Sequence, residues 1–138
     1  MLLDSNRTLI RHMSPNWKRL DSLVEFDEVL EKSRVKPALI FKHRPSSPES
    51  ISVKKRFESE WTLDEELLDI YLVEDRSDSE FISSLVDSAG VDNEYPQVLL
   101  FADGVTMYDE SHEMINVKKI KIALKIINRT FKWMESRA

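Results

Sequence analysis

The chain has no cysteine, only two glycines, and no apolar run approaching the ~18–20 residues that a membrane span requires. Without cysteine there is no disulfide framework, no thiolate metal ligand and no thiol nucleophile. Few glycines, five prolines and plentiful Leu, Ile, Val and Phe exclude a low-complexity or disordered chain. An apolar leader core is missing too: charged residues interrupt the first seventeen positions, so secretion through a signal peptide is not expected and the cytoplasm is the expected location. Lys and Arg number 20 against 25 Asp and Glu, a net charge of −5, which argues against nucleic acid as a partner, and no membrane partner is expected either.

What is present suits one compact domain. With 138 residues, 41% hydrophobic and 33% charged, the chain can hide roughly two-thirds of its unfolded surface. Residues 1–20 read as an irregular arm anchored by Trp17 and Leu20, and 21–138 as the domain. Ser22 followed three positions later by Glu25 is a capping box, and Leu23, Phe26 and Leu30 continue at helical spacing to about Ser33. Ala38 to Phe41 is a short apolar run of buried-strand type, and Lys42 to Ser47 reads as a loop. Pro48 opens a second helix with Ser47 as its N-cap, and Val53, Phe57 and Trp61 line one face.

Asp69 to Val73 reads as a strand, and a helix follows Asp78 with Phe81, Ile82, Leu85 and Val86 inward, ending near Gly90. Gln97 to Phe101 and Val105 to Tyr108 form a hairpin around Ala102-Asp103-Gly104. From near Asn116, the residues Val117, Ile120, Leu124, Ile127, Phe131 and Met134 mark a last amphipathic helix. This order of elements predicts an α/β protein: a mixed central sheet of about four strands flanked by helices.

The order is that of the thioredoxin-like fold with an extra N-terminal helix, and local sequence narrows it. The chain resembles the monothiol bacilliredoxin family of the bacillithiol system. Phe41-Lys42-His43 matches a Phe-Lys-His run, and Ser47-Pro48-Glu49-Ser50 stands where the family has Cys-Pro-Ile-Ser. Glu74-Asp75-Arg76 with Ser79, Tyr95-Pro96-Gln97-Val98-Leu99-Leu100 and Ser111-His112 follow in the family's order. The resemblance covers roughly residues 17–125 and implies thiol–disulfide exchange by a cysteine at a helix start, with a cis proline at Pro96. A thiolate there is stabilised by the helix dipole and attacks a mixed disulfide of a protein with a small thiol.

Position 47 is Ser, and the implied chemistry stops there. A helix end favours a nearby anion by about 0.3–1 kcal/mol, at most ~2, roughly one pKa unit. An alkoxide at neutral pH needs several units more, and serine forms no disulfide. The other departures cluster around the same place: Arg44-Pro45-Ser46 replaces the usual lead-in, Asn93 replaces a His, and Tyr95 replaces a small hydroxyl residue. A whole altered site inside an intact framework fits natural loss of redox activity better than a single laboratory change. The expected function is then binding of a protein or peptide, or of a low-molecular-weight thiol, through His43, Arg44, Pro48, Tyr95 and Pro96 around Ser47. The alternative is a thiol–disulfide oxidoreductase acting on bacillithiol–protein mixed disulfides, if the native residue 47 is Cys.

Other constellations are weaker. A Ser47–His43 dyad lacks both an orienting acid and a Gly-x-Ser-x-Gly elbow. His12, His43 and His112 have no metal-ligand spacing, and His112 suits a hydrogen bond at the hairpin-to-helix corner. Asp75, Ser77 and Ser79 begin like a calcium loop, which Glu80 and Val86 then break. Lys118, Lys121, Lys125, Arg129 and Lys132 form a basic stripe that reads as a solvated helix face. No cofactor or metal is expected, and the chain is expected to be a monomer or weak dimer.

Overall fold

The computed structural model describes residues 14–75 and 79–137, with Ser79 and 131–137 described by their backbone alone. His12, Arg76 and Ser77 lie outside the described residues, as do the side chains of Ser79, Phe131, Lys132, Trp133 and Met134.

The elements in chain order are β1 (Lys18–Arg19), α1 (Leu23–Lys32), β2 (Ala38–His43), α2 (Pro48–Ser59), β3 (Asp69–Glu74), α3 (Ser79–Ala89), β4 (Gln97–Ala102), β5 (Val105–Ser111), a 3-10 turn (His112–Met114) and α4 (Val117–Arg137). They build a five-stranded mixed sheet in the order β1-β3-β2-β4-β5. β3 runs parallel to both β1 and β2, and β4 is antiparallel to both β2 and β5. The fifth strand is β1, a two-residue piece of the segment read as an irregular arm. Its pairing of Lys18 with Tyr71 and Arg19 with Leu72 is tertiary, and two exposed basic residues carry no strand pattern of their own.

Alternation along the strands sends side chains into two cores. Leu39, Phe41, Leu72, Val98 and Leu100 meet Val53 and Phe57 of α2 and Val117, Ile120, Leu124 and Ile127 of α4. On the opposite face Ile40, Val73, Leu99 and Phe101 meet Phe26 and Val29 of α1 and Phe81, Leu85 and Ala89 of α3. Each fully buried Phe, Leu or Ile contributes about 1.5–3 kcal/mol of transfer free energy. Trp17 reaches the first core from the arm, with its ring 5.6 Å from Phe41 and its Nε1 donating to Glu58 at 2.8 Å. Leu23, expected to face inward, is 36% exposed, because Phe26 and Val29 already fill the contact.

The capping signals act with one shift. Ser22 accepts from the Glu25 N–H at 3.2 Å, while the Glu25 carboxylate reaches back to the N–H of Asp21 rather than of Ser22. The β4–β5 hairpin turns at Asp103 (φ 53°) and Gly104 (φ 77°), the left-handed pair that two-residue hairpins require. β5 extends past Tyr108 to Ser111, and β2 extends past Phe41 to His43. Lys42 and His43 look like loop residues by polarity, yet both are buried, so the expected Lys42–Ser47 loop begins only at Arg44.

Candidate functional site

The site lies where β2 ends and β4 begins. Lys42 pairs with Gln97 across the antiparallel ladder, which sets the β2 end and the Tyr95–Pro96 approach to β4 side by side. From His43 the chain turns through Arg44 to Ser47, whose N–H donates to the Arg44 carbonyl at 3.0 Å, and enters α2. The Tyr95–Pro96 peptide bond is cis.

Ser47 is the N-cap of α2, extended at φ −98° and ψ 120°, and its Oγ accepts the Ser50 N–H at 3.1 Å. Pro48 occupies the first helical position, where its missing N–H costs nothing. Ser50, fully buried, is the hub that the sequence reading passed over. Its Oγ accepts the Arg44 N–H at 2.9 Å and lies 2.7 Å from His43 Nδ1. His43 therefore engages Ser50 and makes no hydrogen bond to Ser47, so the Ser47–His43 dyad is not assembled. Burial, reinforced by the Lys54 charge, holds the His43 pKa below its usual 6.5.

Tyr95 forms the other wall and is only 9% exposed. Two cations lie over its ring: Lys42 Nζ at 4.7 Å and Arg44 Cζ at 4.6 Å from the centroid. Arg44 Nε is also held by Asp75 Oδ2 at 2.5 Å. Beneath them Lys42, 1% exposed, donates to Gln97 Oε1 at 2.8 Å and to Asn93 Oδ1. Gln97 Nε2 passes the network on to the Asp92 carbonyl at 2.8 Å. Desolvation brings the Lys42 pKa down from 10.5 to about 8, against the raising influence of Glu94. Burial raises that of Tyr95, with Asp75 adding to it and Arg44 opposing.

His112, with φ at 60°, bridges the two halves. Its Nδ1 meets Glu49 Oε1 at 3.1 Å, its Nε2 meets Glu94 Oε1 at 3.0 Å, and its N–H donates to the Pro96 carbonyl at 2.9 Å. The hydrogen bonds to Glu94 and then Glu49 raise its pKa above 6.5. The expected corner hydrogen bond is thus a two-carboxylate clamp. Neither Glu49 nor Glu94 announces this in sequence, since they are 45 positions apart (94 − 49). Among the described residues no group of three or more His, Asp or Glu side chains is placed to hold a metal ion. No helix among them is long and apolar enough to cross a membrane.

This arrangement is a helix start, a buried cation and a proline loop built around position 47. A profile of monothiol bacilliredoxins (BrxC) matches residues 18–120. The chain belongs to that family. No curated protein sequence matches it. Among solved structures it is similar to a protein described as having a thioredoxin fold, with a TM-score of 0.64 and 25% identity over 76% of this chain and 90% of that one. A thioredoxin from Trypanosoma brucei brucei (TM-score 0.63, 12% identity, 86% of this chain and 96% of that one) shares the fold. So does thioredoxin O2 from Arabidopsis thaliana in its oxidised state (TM-score 0.60, 18% identity, 84% and 97%). The bacilliredoxin fold is therefore carried by a chain with no cysteine anywhere in its sequence.

Proposed function

We propose that this chain is a cytoplasmic, redox-inactive bacilliredoxin that acts by binding a protein or peptide segment at the old exchange site. The observation that carries the reading is the hydroxyl at position 47, spent on capping α2. Exchange needs a thiolate that attacks, and is then released from, a disulfide sulfur, and a capping hydroxyl supplies neither step. Arg44 and Pro48, both exposed, offer a rim in its place, with Tyr95, Pro96 and His43 buried beneath it. Extended peptides commonly dock by pairing with strand-like backbone, and the proposed place for it is the segment that leads into Pro96, whose own carbonyl is taken by the His112 N–H. Arg44, an exposed residue stacked on Tyr95, is the side chain such a segment meets first.

Selection of a displayed random-peptide library on the native chain tests this. The expected result is enrichment of peptides whose binding is lost in Arg44→Glu and Tyr95→Ala. No enrichment, or binding that survives both changes, overturns it. The competing reading, thiol exchange by a form with Cys at position 47, is favoured by the intact Pro48-started helix. Intact mass of Ser47→Cys after exposure to oxidised bacillithiol or oxidised glutathione separates the two. A fast, ligand-selective adduct reversed by free thiol means the pocket still suits exchange. No adduct beyond that of an exposed control cysteine leaves the binding reading standing alone.

A further inference from the structure

His112 joins two parts of the chain that border the binding site. Its Nδ1 meets Glu49 Oε1 at 3.1 Å and its Nε2 meets Glu94 Oε1 at 3.0 Å. Glu49 follows Pro48 in the first turn of α2, and Glu94 precedes Tyr95 in the segment that leads into β4. The bridge therefore spans the gap between the start of α2 and the approach to Pro96. The His112 backbone is held separately, its N–H donating to the Pro96 carbonyl at 2.9 Å. Only the side-chain contacts depend on the ring's proton.

The number of donors decides what that proton does. An imidazolium has two N–H donors, one for each carboxylate, whereas a neutral imidazole has one N–H and one lone pair. At the observed 3.0 and 3.1 Å a lone pair facing a carboxylate oxygen repels it, so a neutral ring holds one glutamate and releases the other. Loss of the imidazolium also leaves the two carboxylates with only a neutral ring between them. Solvent reaches His112, Glu49 and Glu94, whose side chains are 42%, 43% and 43% exposed, so the proton passes freely to and from water.

The charges acting on the ring are Glu94, from the approach to β4, and Glu49, from α2. Around them stand Glu113 of the same turn, Glu110 at the end of β5, which Lys119 of α4 reaches at 3.5 Å, and Lys42 of β2, which feels the Glu94 charge. The two bridging glutamates hold the His112 pKa above 6.5, so the change falls above that pH. We propose that His112 is a proton-operated clamp on the site: protonated, it fastens α2 to the approach to Pro96 and narrows the gap, and neutral, it frees one carboxylate and opens the gap to a peptide. The peptide's entry rests on the binding reading above, whereas the clamp does not.

Three chains test it: wild type, His112→Asn and Glu94→Gln. Asn tolerates the left-handed backbone at position 112 (φ 60°) and does not titrate. Gln at position 94 can donate its N–H to the bare ring nitrogen, so a neutral His112 keeps both contacts. Circular dichroism of each variant establishes that the fold is kept. Amide hydrogen exchange by NMR, corrected for its intrinsic pH dependence, then follows the N–H groups of position 112 and of Ser50, which bond the Pro96 carbonyl and Ser47 Oγ. Between about pH 6 and about pH 8.5 wild-type protection should fall about threefold to tenfold, with the midpoint of the His112 ring titration. His112→Asn should be low at both pH values and Glu94→Gln high at both. Lys42 and His43 titrate in all three chains, so their effects are common to the comparison. Wild-type protection that does not change, or three chains that change alike, overturns the clamp. A displayed random-peptide library, selected at the same two pH values, reads the opening directly. Enrichment is expected on wild type at the higher pH only, on His112→Asn at both and on Glu94→Gln at neither. Equal enrichment on wild type at both overturns the control of binding by His112. No enrichment on any chain, with the exchange pattern as expected, removes the binding reading and leaves the clamp.

Discussion

Lys42 occupies a strand position inside the sheet, where polar patterning reads as a loop. It is tolerated because Gln97 and Asn93 accept its protons and the Tyr95 ring faces its charge. Its folded pKa of about 8 lies below the usual 10.5, so between those values the unfolded chain binds more protons than the folded one. Stability therefore rises with pH across that window, by a total on the order of 3 kcal/mol. Urea unfolding at about pH 7 and pH 9.5 should show somewhat more than half of this gain, and Lys42→Met should abolish it. The histidines act in opposite senses. The raised pKa of His112 gives a contribution fully present below pH 6.5 and lost as pH rises through the folded value. The lowered pKa of His43 makes stability fall as pH drops below 6.5 and its buried ring must charge. An NMR titration should find His112 titrating above 6.5 and His43 below it, with Glu94→Gln moving His112 down and leaving His43 in place.

At the scale of elements, α2 shows most clearly how a local signal serves the site. Ser47, Pro48 and Glu49 are an N-cap, a first-position proline and a dipole-matched acid, all legible from residue type alone. Ser47→Ala should lower stability by about 1 kcal/mol in denaturant melts, and Ser47→Asp should restore most of it, because a carboxylate also caps. What was not legible is the use made of Ser50. Its hydroxyl collects Arg44 and His43, and nothing in helical periodicity distinguishes a buried serine from an exposed one. Ser50→Ala should cost about 1–3 kcal/mol, since it leaves buried partners unmet, whereas Ser46→Ala, on an exposed loop position, should be near neutral. β1 teaches the converse lesson. Lys18 and Arg19 become a strand only because β3 offers a free edge and Trp17 and Leu20 pin the chain on either side.

For the molecule as a whole, each core is centred on aromatic rings, Phe26 lying 6.1 and 6.0 Å from Phe81 and Phe101 in the core under α1 and α3. Phe57 joins Trp17, Phe41 and Trp61 in an aromatic group with ring centroids 6.2, 5.4 and 5.8 Å from it, tying the arm, the sheet and α2 together. Phe57→Ala should lower stability by about 3–5 kcal/mol and loosen the arm with it. A thermal melt monitored by tryptophan fluorescence would read both effects, because Trp17 and Trp61 border the lost ring. The group lies under the α2 helix that carries position 47, so the same variant tests whether the site's frame depends on that core.

The order of the four helices and four longer strands, the helix caps, the hairpin turn and the absence of thiol chemistry were determined by the sequence alone, while β1 was not. Each rests on a local property: spacing, a capping side chain, a glycine at positive φ, or an element that is simply missing. Only the tertiary structure decided that Lys42 and His43 are buried strand residues, that Ser50 rather than Ser47 meets His43, and that His112 clamps Glu49 to Glu94. Those contacts join residues from separate elements. Their energies come from burial and partner geometry, which no single stretch of chain contains until the sheet has brought the stretches together.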